Sequence, residues 1–244
     1  MPSYSIEARS LGVIGIAGHA FWVLRDEHGK AVAELHGLAT DRQTGQAIPI
    51  GTDESRHSLR AWHYPHDPAY ARSIGEKVDS TTYIRDDQPA RTLATGDKHE
   101  IMERWNTAVR AVPELNAQDR DYPNYGFKVF GETVNSNSAY RTFGELMDVR
   151  VQGFRGRIEP GIGNRMLSPE RTQKLRYNAS KRLRHEGRIG MRCIHFRKTP
   201  RRNEPHEKHW KNPTFLGANH FFDLLRNRRS GSRQKPRKKH ELEQ

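Results

Sequence analysis

Apolar positions recur with two different periods along this chain, and the change of period separates predicted strands from predicted helices. Near the start, Tyr4–Arg9 alternates weakly and precedes the apolar run Leu11–Ile16. Further on, His19–Leu24 and Ala31–His36 flank a polar segment that contains a glycine. This arrangement predicts an edge strand over Tyr4–Arg9 and, after the apolar run, a β-hairpin.

The length of the hairpin turn decides which polar side chains share a face of the sheet. A two-residue turn at His28-Gly29 places His19 on the same face as Glu34 and His36. A three-residue turn places those two side chains on the opposite face. The sequence is compatible with both registers.

Residues 41–96 are rich in Gly, Pro, Asp and Thr and show little periodicity, so we expect mostly irregular structure there. An aromatic and histidine cluster, Trp62–His66, interrupts this segment. His63 and His66 suggest a metal site, but no convincing third or fourth ligand accompanies them. We therefore expect a loop packed by its own aromatic side chains.

The helical period appears after residue 96. Asp97 and Glu100 form a capping-box pattern at the start of an apolar stripe, and Pro113 is expected to end that helix. A second helix is predicted to begin at the motif Asn135–Ser138, with either Asn135 or Ser136 as its N-cap. Its apolar stripe consists of Tyr140, Phe143 and Met147, with Ala139 and Leu146 beside them.

Charge divides the chain into two parts at Ser168. Residues 1–168 hold 20 Lys and Arg against 22 Asp and Glu, whereas residues 169–244 hold 22 against 7. The hydrophobic share of 34 % and the mean hydropathy of −0.95 are low for a chain that packs throughout. We predict an α+β domain with an antiparallel sheet over 1–168 and a basic, partly disordered extension over 169–244.

The single cysteine, Cys193, excludes an intramolecular disulfide framework and a thiol-rich zinc site. The first residues lack a basic segment followed by an apolar one, and no window approaches about eighteen apolar residues. We expect a soluble protein without a transmembrane segment, located in the cytoplasm or secreted without a classical signal peptide. We also expect that it needs no cofactor.

The motif Asn135–Ser138 has the properties of a hydrolytic site. Backbone amides at a helix start are free to stabilise a negative charge on a nucleophile or an oxyanion. A hydroxyl nucleophile at Ser136 needs a base, and His19 on a strand is the candidate. A third polar group must orient the imidazole, and either Glu34 or His36 can do so in the two-residue register.

Gly18-His19-Ala20-Phe21 and Asn135-Ser136-Asn137-Ser138 together resemble the two site elements of the circularly permuted papain-like hydrolases. This group includes PPPDE-type deubiquitinating peptidases, the lecithin:retinol acyltransferase group and NlpC-like amidases found among bacterial effectors. The resemblance covers roughly residues 12–168. It implies a papain-like (NlpC-like) fold with His19 as base, Ser136 at the nucleophile position and Glu34 or His36 as the orienting residue.

Ser136 departs from the pattern of that group, in which a cysteine stands at this position. A thiol ionises partly near neutral pH, whereas a hydroxyl must lose its proton to the base during attack. Three interpretations follow: a true serine hydrolase, a catalytically inactive relative, or a protein engineered to trap a complex. Cys193 lies in the basic extension, outside any matching context, and is not a nucleophile candidate.

Each of these features also has a structural interpretation. Asn and Ser clusters are common helix caps, and a histidine at the start of a strand is often a hydrogen-bonded structural residue. Glu34 and His36 are typical of a solvated hairpin face. The catalytic interpretation requires a fold that brings His19 and Ser136 together.

The basic extension suggests a second class of function, because clustered positive charge attracts phosphates. Its aromatic residues would stack on bases or form a small helical element: Tyr177, Phe196, Trp210, Phe215, Phe221 and Phe222. A partly disordered extension that binds any polyanion is the simpler interpretation. A metal-dependent nuclease built from His206, His209, Asn212 and His220 is a weaker hypothesis, because few carboxylates lie near these residues.

The sequence therefore predicts a hydrolase-like domain that cleaves an amide or ester bond through Ser136 and His19, in the manner of a bacterial effector. Peptide, isopeptide, lipid and peptidoglycan substrates all fit this chemistry. The alternative is a non-catalytic protein that binds nucleic acid or another polyanion through its basic extension.

Overall fold

A computed structural model describes residues 3–13, 15–48 and 50–178 of the chain. These residues form an α+β fold with an antiparallel sheet, as expected. The elements are, in chain order, β1 Tyr4–Gly12, β2 Gly18–Arg25, β3 Ala31–Asp41, β4 Ala47–Ile48, β5 His57–Pro65, α1 Pro68–Ser73, β6 Ala90–Gly96, α2 Lys98–Ala117, α3 Ser136–Leu146 and α4 Pro169–Leu175. Among the described residues, no helix is both long and apolar enough to cross a membrane.

The sheet has the order β4-β3-β2-β1-β6, and β5 pairs with β3. Strand β1 therefore lies inside the sheet, between β2 and β6, and the prediction of an edge strand over Tyr4–Arg9 was wrong. Ile6, Ala8 and Ser10 share one face and are fully buried. On the opposite face Glu7 is partly buried and Arg9 is buried. Polar residues therefore occur on both faces of the strand, which explains the weak alternation.

The hairpin between β2 and β3 has a three-residue turn, yet it keeps the register expected of a two-residue turn. Asp26 N–H donates to Lys30 O at 3.0 Å, and Gly29 takes a positive φ of 75° inside the turn. A bulge between Leu24 and Arg25 then shifts the pairing by one residue. Because the bulge compensates for the longer turn, His19 shares its face with the polar side chains of β3.

The segment 41–96 is more regular than its sequence indicates. Strand β5 pairs with β3 along its whole length, from Asp41 opposite His57 to Ala33 opposite Pro65. The prediction of a loop over Trp62–His66 was therefore wrong. Strand pairing overrides the low local propensity of this stretch, because β3 presents an open hydrogen-bonding edge.

Helix α2 continues past Pro113 to Ala117, contrary to the predicted end. Asp97 does cap its start, accepting a hydrogen bond from Glu100 N at 2.9 Å. Beyond the proline, Leu115 is fully buried and the Asn116 side chain exchanges two hydrogen bonds with the backbone of Ala61 in β5, at 2.7 and 3.0 Å. These contacts hold the last turn in place and offset the hydrogen bond that a proline cannot donate.

Helix α3 packs on the sheet through its predicted apolar stripe. Tyr140 stacks on Trp22 of β2 with ring centroids 4.5 Å apart, and the Trp22 indole N–H donates to Tyr140 O at 2.8 Å. The described fold continues past Ser168, because α4 follows and Tyr177 N–H donates to Leu146 O at 2.8 Å. Tyr177 is buried beneath the guanidinium of Arg104, so it offers no surface for base stacking.

We predict that Gly37→Ala destabilises the protein by about 1–3 kcal/mol, because β3 and α3 meet at this residue without room for a methyl group. A Cβ at Gly37 would overlap the Ala139 side chain and lie 3.2 Å from both Cα and O of Ser136. Urea unfolding measures the effect. Gly163→Ala is the matched control, since a Cβ there meets nothing within 4 Å. Equal stability of the two variants would contradict this packing.

Candidate functional site

The start of α3 lies where β2 and β3 separate. Their pairing ends at Trp22 opposite Leu35, which leaves the first residues of β2 without a strand partner on that side. The side chain of Asn137 takes that place: its Oδ1 accepts from Ala20 N at 2.9 Å and its Nδ2 donates to Gly18 O at 3.0 Å. One side-chain amide thus holds both backbone groups that flank His19.

Asn135 is the N-cap of α3, which settles the choice left open by the sequence. Its Oδ1 accepts from Asn137 N and Ser138 N, and its Nδ2 donates to Gly126 O at 2.6 Å and to Pro160 O at 2.9 Å. The cap therefore also ties together the two loops that border the helix start. Ser136 follows as the first residue of α3, where the dipole of the helix favours negative charge.

A hydrogen-bonded series of buried side chains begins at His19 on β2 and continues through His36 and Glu34 on β3. His19 Nε2 lies 3.0 Å from His36 Nδ1, and His36 Nε2 lies 2.9 Å from Glu34 Oε2. Glu34 and His36 are fully buried, and His19 keeps 7 % of its surface exposed. Both candidate orienting residues are thus hydrogen-bonded in this series, His36 directly to His19 and Glu34 to His36, and neither lies on a solvated hairpin face.

The Glu34 carboxylate, at the end of this series, determines which ring nitrogens of His36 and His19 carry protons. Glu34 accepts a hydrogen bond, so His36 must carry its proton on Nε2 and offer a lone pair at Nδ1. His19 must then donate from Nε2 to that lone pair. Consequently the ring nitrogen left to His19 for accepting a further proton is Nδ1.

Glu34 accepts four hydrogen bonds, two on each oxygen. Oε2 receives His36 and the Tyr83 backbone N–H at 3.0 Å, while Oε1 receives His66 at 2.9 Å and the Thr82 hydroxyl at 2.5 Å. Burial raises the pKa of this carboxyl, but the hydrogen bonds outweigh burial and leave the pKa well below its usual range. The site therefore contains a buried carboxylate ion whose lone pairs are occupied.

Burial keeps His19 and His36 neutral. It lowers the pKa of His19 to about 3, and the neighbouring His36 acts in the same direction, whereas Glu34 raises it. The pKa of His36 is also lowered, again mainly by burial and against the effect of Glu34. At neutral pH both imidazoles are uncharged, each with a single ring proton, and the base form of His19 is fully populated.

Ser136 lies beside this series of side chains. Among the described residues, no hydrogen bond joins Ser136 to His19, His36 or Glu34. The Cα and O of Ser136 pack against Gly37, the residue after His36. Burial raises the pKa of Tyr122, against a lowering by its contacts with the hydroxyl and the backbone amide of Ser136. The hydroxyl of Tyr122 therefore faces the two groups that a nucleophile and an oxyanion site require.

The other sequence candidates are not part of this site. His63 Nδ1 pairs with Glu76 at 3.0 Å, so it does not join His66 in a metal site. Among the residues that the structure describes, no group of three or more His, Cys, Asp and Glu side chains is arranged to hold a metal ion. Cys193 and the proposed nuclease residues lie outside the described residues: His206, His209, Asn212 and His220.

Sequence reasoning missed the roles of several site residues. Asn137 belongs to the quoted motif, but its bridging role follows only from the separation of β2 and β3. Thr82 and Tyr83 lie in a segment without periodicity, so nothing in the sequence marked them. Tyr122 precedes the turn-rich stretch Pro123–Gly126, and only the fold brings it to Ser136.

Apolar side chains flank the start of α3 on two sides. The loop before the helix exposes Tyr125 by 70 %, Val129 by 76 % and Phe130 by 90 %, whereas Ile16 and Ile158, near Gly18, are exposed by 60 % and 55 %. Ile158 N–H donates to Ile16 O at 2.9 Å, which joins those two. Exposed apolar side chains are therefore present in both loops that border the start of α3.

We predict that the free energy of unfolding falls as the pH drops below about 6.5, because His19 and His36 stay neutral when folded but take up protons when unfolded. Well below that pH the contribution of His19 alone is about 1.4 kcal/mol for each pH unit. Urea unfolding between pH 7.5 and pH 5 measures it. His19→Gln should give a correspondingly shallower acid dependence. Parallel curves for the two proteins would contradict the assignment of a neutral, buried His19.

No family model, curated protein or solved structure matches this chain.

Proposed function

We propose that this protein is a hydrolase-like enzyme that cleaves an amide or ester bond by acyl transfer to Ser136 and then to water. The observation that carries the proposal is the hydrogen-bonded series Glu34, His36 and His19 beside the start of α3. This series has the parts of a general-base system: an anchored anion, an orienting group and an imidazole with one lone pair available.

The order of these elements along the chain supports a permuted papain-like arrangement. The histidine strand comes early and the helix with the nucleophile position comes about 115 residues later, as in the group that the sequence resembles. The side chain of Asn137 hydrogen-bonds to Gly18 O and Ala20 N, on both sides of His19, which brings these distant segments into contact. The antiparallel sheet with α3 packed on it fits the same architecture.

The proposed reaction has two halves. First, the Ser136 hydroxyl loses its proton to Nδ1 of His19 while Oγ bonds to the substrate carbonyl carbon; His19 then gives the proton to the leaving amine or alcohol. Next, water loses a proton to His19 and attacks the acyl-serine ester, and Ser136 regains its proton when the acid departs. Hydrogen bonds between catalytic groups are often incomplete without substrate, so the missing His19–Ser136 bond is compatible with this scheme.

The backbone amide of Ser136 is the candidate donor to the oxyanion. It is the first amide of α3, and the Tyr122 hydroxyl faces it in this structure. Only 7 % of the surface of Ser136 is exposed, so a substrate oxygen reaches the amide only when the Tyr122 side chain moves away. Substrate binding is therefore expected to move the segment that carries Tyr122.

The low pKa of His19 makes it a weak base, which limits how readily it takes the proton of Ser136. The imidazolium formed during attack depends on the charge of Glu34, transmitted through His36, for its stability. A thiol places a smaller demand on the base than a hydroxyl does. A serine enzyme with this site is therefore expected to be slow, and the interpretations of an inactive relative or an engineered trap remain its alternatives.

The exposed apolar residues on either side of α3 favour a substrate with an apolar group beside the scissile bond. Phe130 and Val129 on one side and Ile158 on the other are the most suitable contacts, because each is more than half exposed. Within the broad set of amide and ester substrates, these flanks support lipid-like or apolar peptide groups over strongly charged ones.

We predict that a fluorophosphonate modifies Ser136 in the folded protein and that His19→Gln slows this labelling by roughly 100-fold or more, because the base is lost. Ser136→Ala should abolish the labelling. Intact-mass and peptide mass spectrometry measure rate and position. Ser80→Ala and His28→Gln are matched controls, since both residues are exposed.

Absence of labelling in the folded wild-type protein would contradict an active serine. Ser136→Cys in a Cys193→Ser background then distinguishes an inactive relative from a wrong site. A thiol beside His19 at the helix start should react with iodoacetamide faster than a thiol at position 80 in the same background. Equal rates of reaction at positions 136 and 80 would contradict a nucleophile site at position 136.

We propose polyanion binding through residues 169–244 as a second candidate function. Its support is the charge of that segment, with 22 Lys and Arg against 7 Asp and Glu. Such an excess attracts phosphate backbones without sequence preference, and the affinity falls steeply with salt. The two functions are compatible within one chain, because the charge lies outside the residues that form the hydrolytic site.

We predict that the full chain binds duplex DNA or RNA with a linear fall of log K against log salt, and that truncation after Asn178 removes this binding. Truncation there retains α4 and its packing on α3, which circular dichroism and thermal unfolding verify. Fluorescence anisotropy at several salt concentrations measures the slope. Binding that survives the truncation would locate the interface in the first 178 residues and overturn this second proposal.

A further inference from the structure

The Glu34 carboxylate joins two histidines, and only one of them belongs to the proposed base system. His36 Nε2 lies 2.9 Å from Oε2, and His66 Nε2 lies 2.9 Å from Oε1. His66 follows the end of β5, so it reaches Glu34 from the neighbouring strand rather than from the hairpin of His19. Its side chain is 16 % exposed, whereas that of Glu34 is fully buried.

The ring of His66 lies between two acceptors. Its Nδ1 is 3.0 Å from the carbonyl oxygen of Asp79, which can only accept, and its Nε2 faces the Glu34 carboxylate. Both nitrogens must therefore donate, and an imidazole with two N–H groups is a cation. In accord with this geometry, the pKa of His66 is raised: burial lowers it, but the bonds to Glu34 and Asp79 outweigh burial.

We infer that His66 is a positioning residue of the site, acting as an imidazolium that orients the buried Glu34 carboxylate. A buried anion without a counter-charge is costly and tends to take up a proton. With His66 charged beside it, Glu34 stays ionised and accepts from His36, which fixes the proton positions of His36 and His19. This role rests on the proposed function, since it concerns the base of the same reaction.

Loss of the His66 proton is expected to disturb this arrangement. One ring nitrogen would then present a lone pair to an oxygen, either that of Asp79 or that of Glu34. Because the pKa of His66 is raised, the contact is complete below pH 6.5 and is lost as the pH rises through the folded-state value. The ionisable groups facing this region are Glu34, His36 and Asp79, together with Tyr64 and Tyr83, whose pKa values are also raised, chiefly by burial.

The first test needs no substrate and uses the full chain. Long-range ¹H–¹⁵N spectra of the histidine rings report which nitrogens carry protons, and the His66 signals are assigned by comparison with His66→Gln. We expect both nitrogens of His66 to be protonated at pH 6 and the ring to lose one proton only above pH 6.5. A ring that is neutral at pH 6, or that loses its proton below pH 6.5, would overturn the inference, whatever the enzyme does.

The second test follows the rate of fluorophosphonate labelling of Ser136 against pH. We expect an alkaline fall in the wild-type rate that matches the His66 titration, and His66→Gln should lose this limb and react about tenfold more slowly, as weakening of one charged hydrogen bond implies. His63→Gln is the matched control, because His63 pairs with Glu76 rather than with Glu34.

The two tests separate the two ways of failing. An unchanged labelling profile in His66→Gln would overturn the positioning role while leaving the hydrolase proposal intact. Absence of labelling in every variant would count against the proposed function. In that case His19 and His36 tautomers that change in the His66→Gln spectra would still support the role of His66, and tautomers that stay the same would refute it.

Discussion

The side-chain amide of Asn137 is the interaction on which the arrangement of this site depends. Strands β2 and β3 stop pairing at Trp22 opposite Leu35, and an unpaired strand edge inside a fold must find other hydrogen-bonding partners. Asn137 supplies both a donor and an acceptor to the edge of β2, on either side of His19. The first turn of α3 thereby becomes a substitute for a strand, and Ser136 is carried into the space between two strands.

A second constraint is the burial of Glu34. A carboxylate without access to water is tolerated only when its oxygens are occupied, and here donors come from three segments of the chain: β3 itself, the end of β5, and residues 82–83. The same charge that must be satisfied also orders the imidazoles of His36 and His19. Stability and proposed chemistry thus depend on one network, so a substitution at Glu34 is expected to affect both together.

The sequence predicted the hairpin, the apolar stripe of α3, Asn135 as one of two possible caps, and a shared face for His19, Glu34 and His36 in one of two registers. Each of these depends on local periodicity or a short motif. The sequence did not predict β5, the interior position of β1 or the passage of α2 through Pro113. Those features depend on partners distant in sequence, such as the open edge of β3 and the bond between Asn116 and Ala61. The role of Asn137 belongs to the same class, since a gap between strands has no signature in either strand. The hairpin register was reached through a bulge that no turn rule anticipates.

In the proposed site, Nδ1 of His19 is the free base beside Ser136, and its orientation is fixed from Glu34 through His36. The most direct measurement is a crystal structure of the protein after reaction with a fluorophosphonate. We expect phosphorus bonded to Ser136 Oγ, Nδ1 of His19 within hydrogen-bonding distance of the adduct, and the Nε2 contact with His36 retained. An unmodified Ser136, or an adduct with the His19 ring turned away, would contradict this assignment.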